Sequence, residues 1–119
     1  MKKILAIGCL VAITIMSVGV VNAAKKTKSV LGGDYELRAT CTDTYAQGDV
    51  YAYNENYYPV GSATGYYTYN GSTYTTSLPG TGYQSYWSGS KTISASARFY
   101  KTTTTLTKSG TTYSVSASN

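Results

Sequence analysis

The 119-residue chain contains no histidine. That absence removes the usual general base, any serine-histidine relay and the commonest metal ligand. Cysteine is nearly missing as well: Cys9 lies in an apolar leader and Cys41 stands alone in the remainder, so no intramolecular disulfide can staple a small domain. Without a histidine to activate it, Cys41 is not a candidate nucleophile. Aliphatic side chains are few, with four Val, four Leu, one Ile and one Phe after Ala23, a poverty that alone suggests disorder. Charge is absent between Asn56 and Ser90. No window beyond the leader repeats its apolar residues every 3.6 positions, which excludes amphipathic helices as the framework. A glycine-rich phosphate loop is missing, and the aromatics lack interleaved basic residues, so neither a cofactor nor nucleic acid is expected.

Lys2 and Lys3 precede an apolar run from Ile4 to Val21, which ends at Val21-Asn22-Ala23. This is the form of a secretory signal peptide, with cleavage expected after Ala23 or Ala24. Ala6 to Cys9 has the look of a lipoprotein box, but Cys9 comes too early for a full apolar region ahead of it. The chain then divides into a leader over 1–23, a basic flexible arm over 24–34 holding Lys25, Lys26 and Lys28, and a single domain over 35–119. Export removes Lys2 and Lys3 from the formal charge of +5, and the body from Ser29 onward holds five acids and five bases. Nothing after the leader is apolar enough to span a membrane as a helix.

Tyrosine supplies what the aliphatics do not. All 14 tyrosines follow the leader, each a large apolar ring with a polar tip, and tyrosine and threonine both favour strands. Two-residue alternation puts Tyr35, Leu37, Ala39 and Cys41 on one face, and Ile93, Ala95, Ala97 and Phe99 on the inner face of a strand expected over Lys91 to Lys101. A strand from Gly48 to Asn54 turns Val50 and Ala52 inward and leaves Tyr51 and Tyr53 outside. Asn70-Gly71 marks a type I′ hairpin that pairs Tyr67 with Tyr74 and puts Tyr66 on the other face. Ser109-Gly110 likewise pairs Leu106 with Tyr113 and Thr104 with Val115. Further turn signals at Gly32-Gly33, Gly48, Pro59 to Gly61 and Pro79-Gly80 give six to seven short strands in an all-β antiparallel sandwich or barrel.

Chemistry has little to work with. Asp43, Asp49 and Glu55 are the only grouped acids that could act as a glycosidase pair or, with Asn54, hold calcium, yet acids on a solvated strand face explain them as well. Asn70-Gly71-Ser72 matches a glycosylation sequon, but its turn role accounts for it. The residues best suited to contact are Tyr51, Tyr53, Tyr66, Tyr86 and Trp87, rings in an uncharged Ser/Thr/Gly setting that can stack on sugars or lie against a partner.

The stretch YWSGSKTISA from Tyr86 to Ala95 resembles the Y-x-x-G-S-K-T-x-S-A segment of lactococcin 972-type bacteriocins, matching at Tyr86, Gly89, Ser90, Lys91, Thr92, Ser94 and Ala95. Ile93 stands where members of that family commonly carry histidine. The resemblance implies a small exported β-sandwich acting on the envelope of related bacteria. Together these readings predict a secreted, non-enzymatic binding protein whose partner is a cell-wall or envelope component containing carbohydrate. The alternative is a structural matrix or fibre protein that self-associates through uncharged Tyr/Thr-rich strands.

Overall fold

Among the described residues, four two-residue turns fold the chain back on itself, and each fixes the register of the two strands it joins. They lie at Asp43-Thr44, Asn70-Gly71, Gln84-Ser85 and Ser109-Gly110. Asn70 and Gly71 have φ of 50° and 78°, and Ser109 and Gly110 of 54° and 81°, the left-handed pairs that a type I′ turn needs to match strand twist. The computed structural model describes residues 23–53, 59–94 and 96–119. Among these, the strands are β1 Ala23–Val30, β2 Tyr35–Thr42, β3 Tyr45–Ala52, β4 Gly61–Tyr69, β5 Ser72–Ser77, β6 Gly80–Tyr83, β7 Tyr86–Thr92, β8 Ala97–Lys108 and β9 Thr111–Ser118.

They form two antiparallel sheets, one of five strands in the order β1-β2-β3-β7-β6 and one of four in the order β9-β8-β4-β5. The sheets pack face to face as a β-sandwich. Its core holds Tyr35, Leu37, Ala39, Cys41, Val50 and Ala52 from the first sheet and Ala63, Phe99 and Leu106 from the second. Apart from Ala63, these are the inward positions that alternation assigned, and Tyr67 is packed against them with its ring edge-on to Phe99 at 6.0 Å. Cys41 is buried and free, and burial pushes its thiol pKa up.

Most of the segment expected as a flexible arm over 24–34 lies instead in the edge strand β1, paired along its length with β2 from Ala23↔Thr42 to Val30↔Tyr35, and Leu31–Gly33 make a 3-10 turn. Its lysines hid an alternation in which Ala24 and Val30 meet the core. The single strand expected over Lys91 to Lys101 is also corrected. β7 ends at Thr92, the chain crosses between sheets at Ile93 and Ser94, and β8 begins at Ala97. Alternation persists across the break because both halves line the same interior; Ala95 lies outside the described residues. Asn54 and Glu55 also lie outside them.

Gly48 is no turn. It sits in mid-β3 facing the other sheet, where a Cβ would come within 2.5 Å of Ala63 Cβ and of Thr104 Oγ1. Small side chains there let the sheets approach closely, and Thr104 Oγ1 donates across the interface to the Arg38 carbonyl at 2.8 Å. In β8 the two-residue period changes phase at a β-bulge, where Tyr66 opposes Lys101 but Tyr67 opposes Phe99. Phe99 and Thr102 are both buried while Tyr100 and Lys101 both turn outward. The Asn119 amide donates to the bulged Tyr100 carbonyl at 2.9 Å.

Candidate ligand-binding face

The outer face of the five-stranded sheet is assembled by register. The Asp43-Thr44 turn sets Glu36 opposite Tyr51 and Arg38 opposite Asp49. β7 then brings Tyr86 beside Tyr51 and Ser88 beside Asp49, and the β6–β7 hairpin adds Tyr83 beside Tyr86. The result is a row of rings running across strands. Tyr53 and Tyr51 are nearly parallel with centroids 6.3 Å apart, Tyr51 meets Tyr86 at 4.9 Å, and Tyr86 meets Tyr83 at 5.7 Å. The end rings are the most open, Tyr53 at 55% exposure and Tyr83 at 53%.

Two carboxylates flank this row. Glu36 accepts from Arg38 Nε at 2.5 Å and from the Tyr53 hydroxyl at 2.8 Å. The bond from Arg38, and then that from Tyr53, holds the Glu36 pKa below its ordinary value. The same bond to Glu36 raises the Tyr53 phenol. Arg38 lays its guanidinium over the Tyr51 ring, 4.4 Å from the centroid. Partial burial opposes its charge, but Glu36 holds its pKa above the ordinary value.

Asp49 belongs to the outer face yet is only 3% exposed, because its neighbours close over it. Its Oδ1 accepts from Ser88 Oγ at 2.7 Å, from Gln47 Nε2 at 2.9 Å and from the Tyr86 hydroxyl at 3.4 Å. Gln47 is in turn bonded to the Tyr45 hydroxyl. Burial first, and the Asp49 charge second, push the Tyr51 phenol up to about 12. Beside the row, Pro79, Thr81, Tyr83, Tyr86, Ser88 and Ser90 bound an open cleft of about 580 Å³. Every one of these side chains is uncharged, so the cleft offers ring faces and hydroxyls with a carboxylate behind them.

No protein-family model, curated protein or solved structure matches the chain. The site must therefore be judged on its own geometry.

Of the rings expected to make contact, Tyr51, Tyr53 and Tyr86 are brought together. Tyr66 is on the other sheet, with Tyr100 at 6.3 Å and Lys101 Nζ 4.7 Å from its centroid. Trp87 is a correction: it is 7% exposed and belongs to the core. It pairs with Val50, and alternation turns it inward as surely as it turns Tyr86 and Ser88 outward. Three glycines make the room, since a Cβ on Gly80, Gly61 or Gly89 would lie 2.2, 2.9 or 2.9 Å from the indole. Tyr83, Glu36 and Arg38 were not among the residues expected to make contact, although alternation puts Glu36 and Arg38 on the outer side of their strand. Their signal was the turn arithmetic at Asp43-Thr44 and Gln84-Ser85, obscured because neither turn contains glycine; Ser85 takes φ of 66° itself.

Of the acids weighed as a pair or a calcium site, Asp43 and Asp49 do not come together, and Glu55 lies outside the described residues. Asp43 sits at the β2–β3 turn, where it accepts from Asn119 Nδ2 at 2.7 Å and faces Arg98 Nε at 3.9 Å. Asp49 is six positions along β3, roughly 20 Å away at the rise of an extended chain. Among the described residues no metal-holding group of three or more acids and cysteines occurs.

Proposed function

We propose that this is an exported, non-enzymatic binding protein of the bacterial cell envelope, and that the outer face of its five-stranded sheet receives an uncharged, hydroxyl-rich glycan. The observation that carries this reading is the ring row Tyr53–Tyr51–Tyr86–Tyr83 set beside the buried Asp49 carboxylate and the neutral cleft. A pyranose has apolar C–H faces and a rim of hydroxyls. Ring faces cover the former, while Ser88, Ser90 and Thr81 exchange hydrogen bonds with the latter. Asp49 works from behind: it accepts from Ser88 and Tyr86, fixing which way those hydroxyls offer their lone pairs. The rings are rigid, with two χ angles each, so little side-chain entropy is lost when they are covered.

Inhibition of related bacteria, as the bacteriocin-like segment suggests, would be one consequence of such binding. The test is co-sedimentation with isolated cell walls. Substituting Tyr83→Ala together with Tyr86→Ala should lower retention at least about tenfold, in line with loss of central aromatic anchors, while Tyr66→Ala on the opposite sheet should leave it unchanged. Equal retention by all three proteins, or no retention of the wild type, overturns the assignment. Growth-inhibition zones on a panel of related strains check the antibacterial consequence, and uniform inactivity removes it.

A further inference from the structure

Strand β5 ends the four-stranded sheet, and no described strand pairs with its outer side. Its six residues, Ser72–Ser77, hold no charge and no proline. The other edges are guarded. β1 carries Lys25, Lys26 and Lys28, and register puts Lys26 and Lys28 at inner-face positions opposite Ala39 and Leu37. Lys28 Nζ crosses to the Ser114 carbonyl of β9 at 3.3 Å, so one side chain defends two edges. β6 is only four residues long. Short strands and inward lysines are the devices by which sheets avoid pairing with one another; β5 carries neither, and the lysine that reaches it from β7, Lys91, bonds the Thr76 hydroxyl rather than an edge carbonyl.

We propose that β5 pairs antiparallel with β5 of a second copy of this chain, about a two-fold axis at Thr75, to join the two four-stranded sheets into one. The two-residue turn dictates the geometry. Tyr69 and Ser72 close the hairpin ladder, so Ser72, Tyr74 and Thr76 spend their N–H and C=O groups on β4, while those of Thr73, Thr75 and Ser77 point outward. Setting Thr75 against Thr75 of the second copy matches Thr73 with Ser77 and uses all three residues on both edges. It also keeps inward side chains inward, whereas a slip of one residue would mix the faces.

The same register identifies the occupant as a second copy rather than any extended peptide. It sets the partner's Tyr74 directly opposite Thr76, in a non-hydrogen-bonded pair where side chains come closest. Thr76 Oγ1 already accepts from Lys91 Nζ at 2.9 Å. Thr76, Lys91, Tyr67 and Tyr69 line an open cleft of about 320 Å³. A neutral aromatic ring arriving there meets an ammonium and two tyrosines. Tyr74 is 45% exposed in the single chain, so pairing covers a ring that otherwise faces water. A strand bearing like charge would be repelled by Lys91, but β5 brings none.

This edge lies on the sheet opposite the ring row, and the proposal stands whether or not a glycan binds there. Sedimentation equilibrium of the purified protein from micromolar to millimolar concentration tests it, with circular dichroism and thermal melting to verify the fold. Thr75→Pro removes an N–H aimed at the partner and none aimed at β4. Thr75→Lys sets two ammonium groups face to face on the axis from a solvent-facing position, and it carries the test alone should the proline variant melt early. The wild type should pass reversibly from monomer to dimer, and Thr75→Lys should stay monomeric with a wild-type fold. A wild type that is monomeric throughout, a dimer that survives Thr75→Lys, or growth into open-ended fibres overturns the proposal.

Discussion

The indole of Trp87 is accommodated by what its neighbours lack. Gly80, Gly61 and Gly89, from β6, β4 and β7, form a slot that any methyl group would enter at 2.9 Å or less. Gly80→Ala should therefore cost about 1–3 kcal/mol, measured by denaturant unfolding, because the indole has no free space into which to retreat. Two buried threonines of β8 make a contrasting pair. Thr104 Oγ1 has its acceptor in the Arg38 carbonyl, whereas Thr102 Oγ1 meets no partner in full hydrogen-bond geometry among the described residues and has beside it the Cys41 thiol, a weak partner. Replacing Thr104 by Val should destabilise by about 1 kcal/mol, and the same change at Thr102 should be neutral or stabilising; equal losses at the two would refute this account. Tyr51 supplies a pH signature. Its phenol is raised to about 12 in the folded state against about 10 when unfolded. Its contribution is thus complete below pH 10 and lost as pH climbs toward 12. Alkaline melting curves should show that loss, and Tyr51→Phe should reduce it.

At the scale of strands, the hairpins were the legible part. Asn70-Gly71 and Ser109-Gly110 specify both turn type and register, so the pairings Tyr67↔Tyr74 and Leu106↔Tyr113 followed from counting. The left-handed φ of 78° at Gly71 implies that Gly71→Ala should cost about 1–2 kcal/mol while nearby Thr73→Ala costs far less, a difference that thermal melts would resolve. What was not legible shares a cause: local pattern carries the face of a residue but not the sheet to which it belongs. Ile93, just past the end of β7, and Phe99 of β8 point to one interior from either side of the crossing, so the break between β7 and β8 left no trace in the alternation. Trp87 obeyed the alternation, and its inward position was readable once Tyr86 was placed outside. Bulk aromaticity in a neutral stretch concealed that. Lysines in β1 concealed a strand, since an edge strand can hold charge on both faces without burying it.

At the scale of the molecule, the two proposals interact through symmetry. A two-fold axis at Thr75 that keeps inner faces inward must run perpendicular to the joined sheet. Both five-stranded sheets then lie on the same side of it, and both ring rows face the same direction. Two weak sites presented to one insoluble surface bind far more tightly than either alone, because the second contact is intramolecular. Thr75→Lys should therefore reduce retention on isolated cell walls by about a hundredfold or more while leaving the affinity for a soluble wall-derived oligosaccharide unchanged. Tyr83→Ala with Tyr86→Ala should lower both. If Thr75→Lys weakened binding of the soluble oligosaccharide as strongly as retention on the wall, the two surfaces would be one site. If it weakened neither in a protein that had become monomeric, the two rows would not engage a common surface, and the dimer would serve some purpose other than avidity.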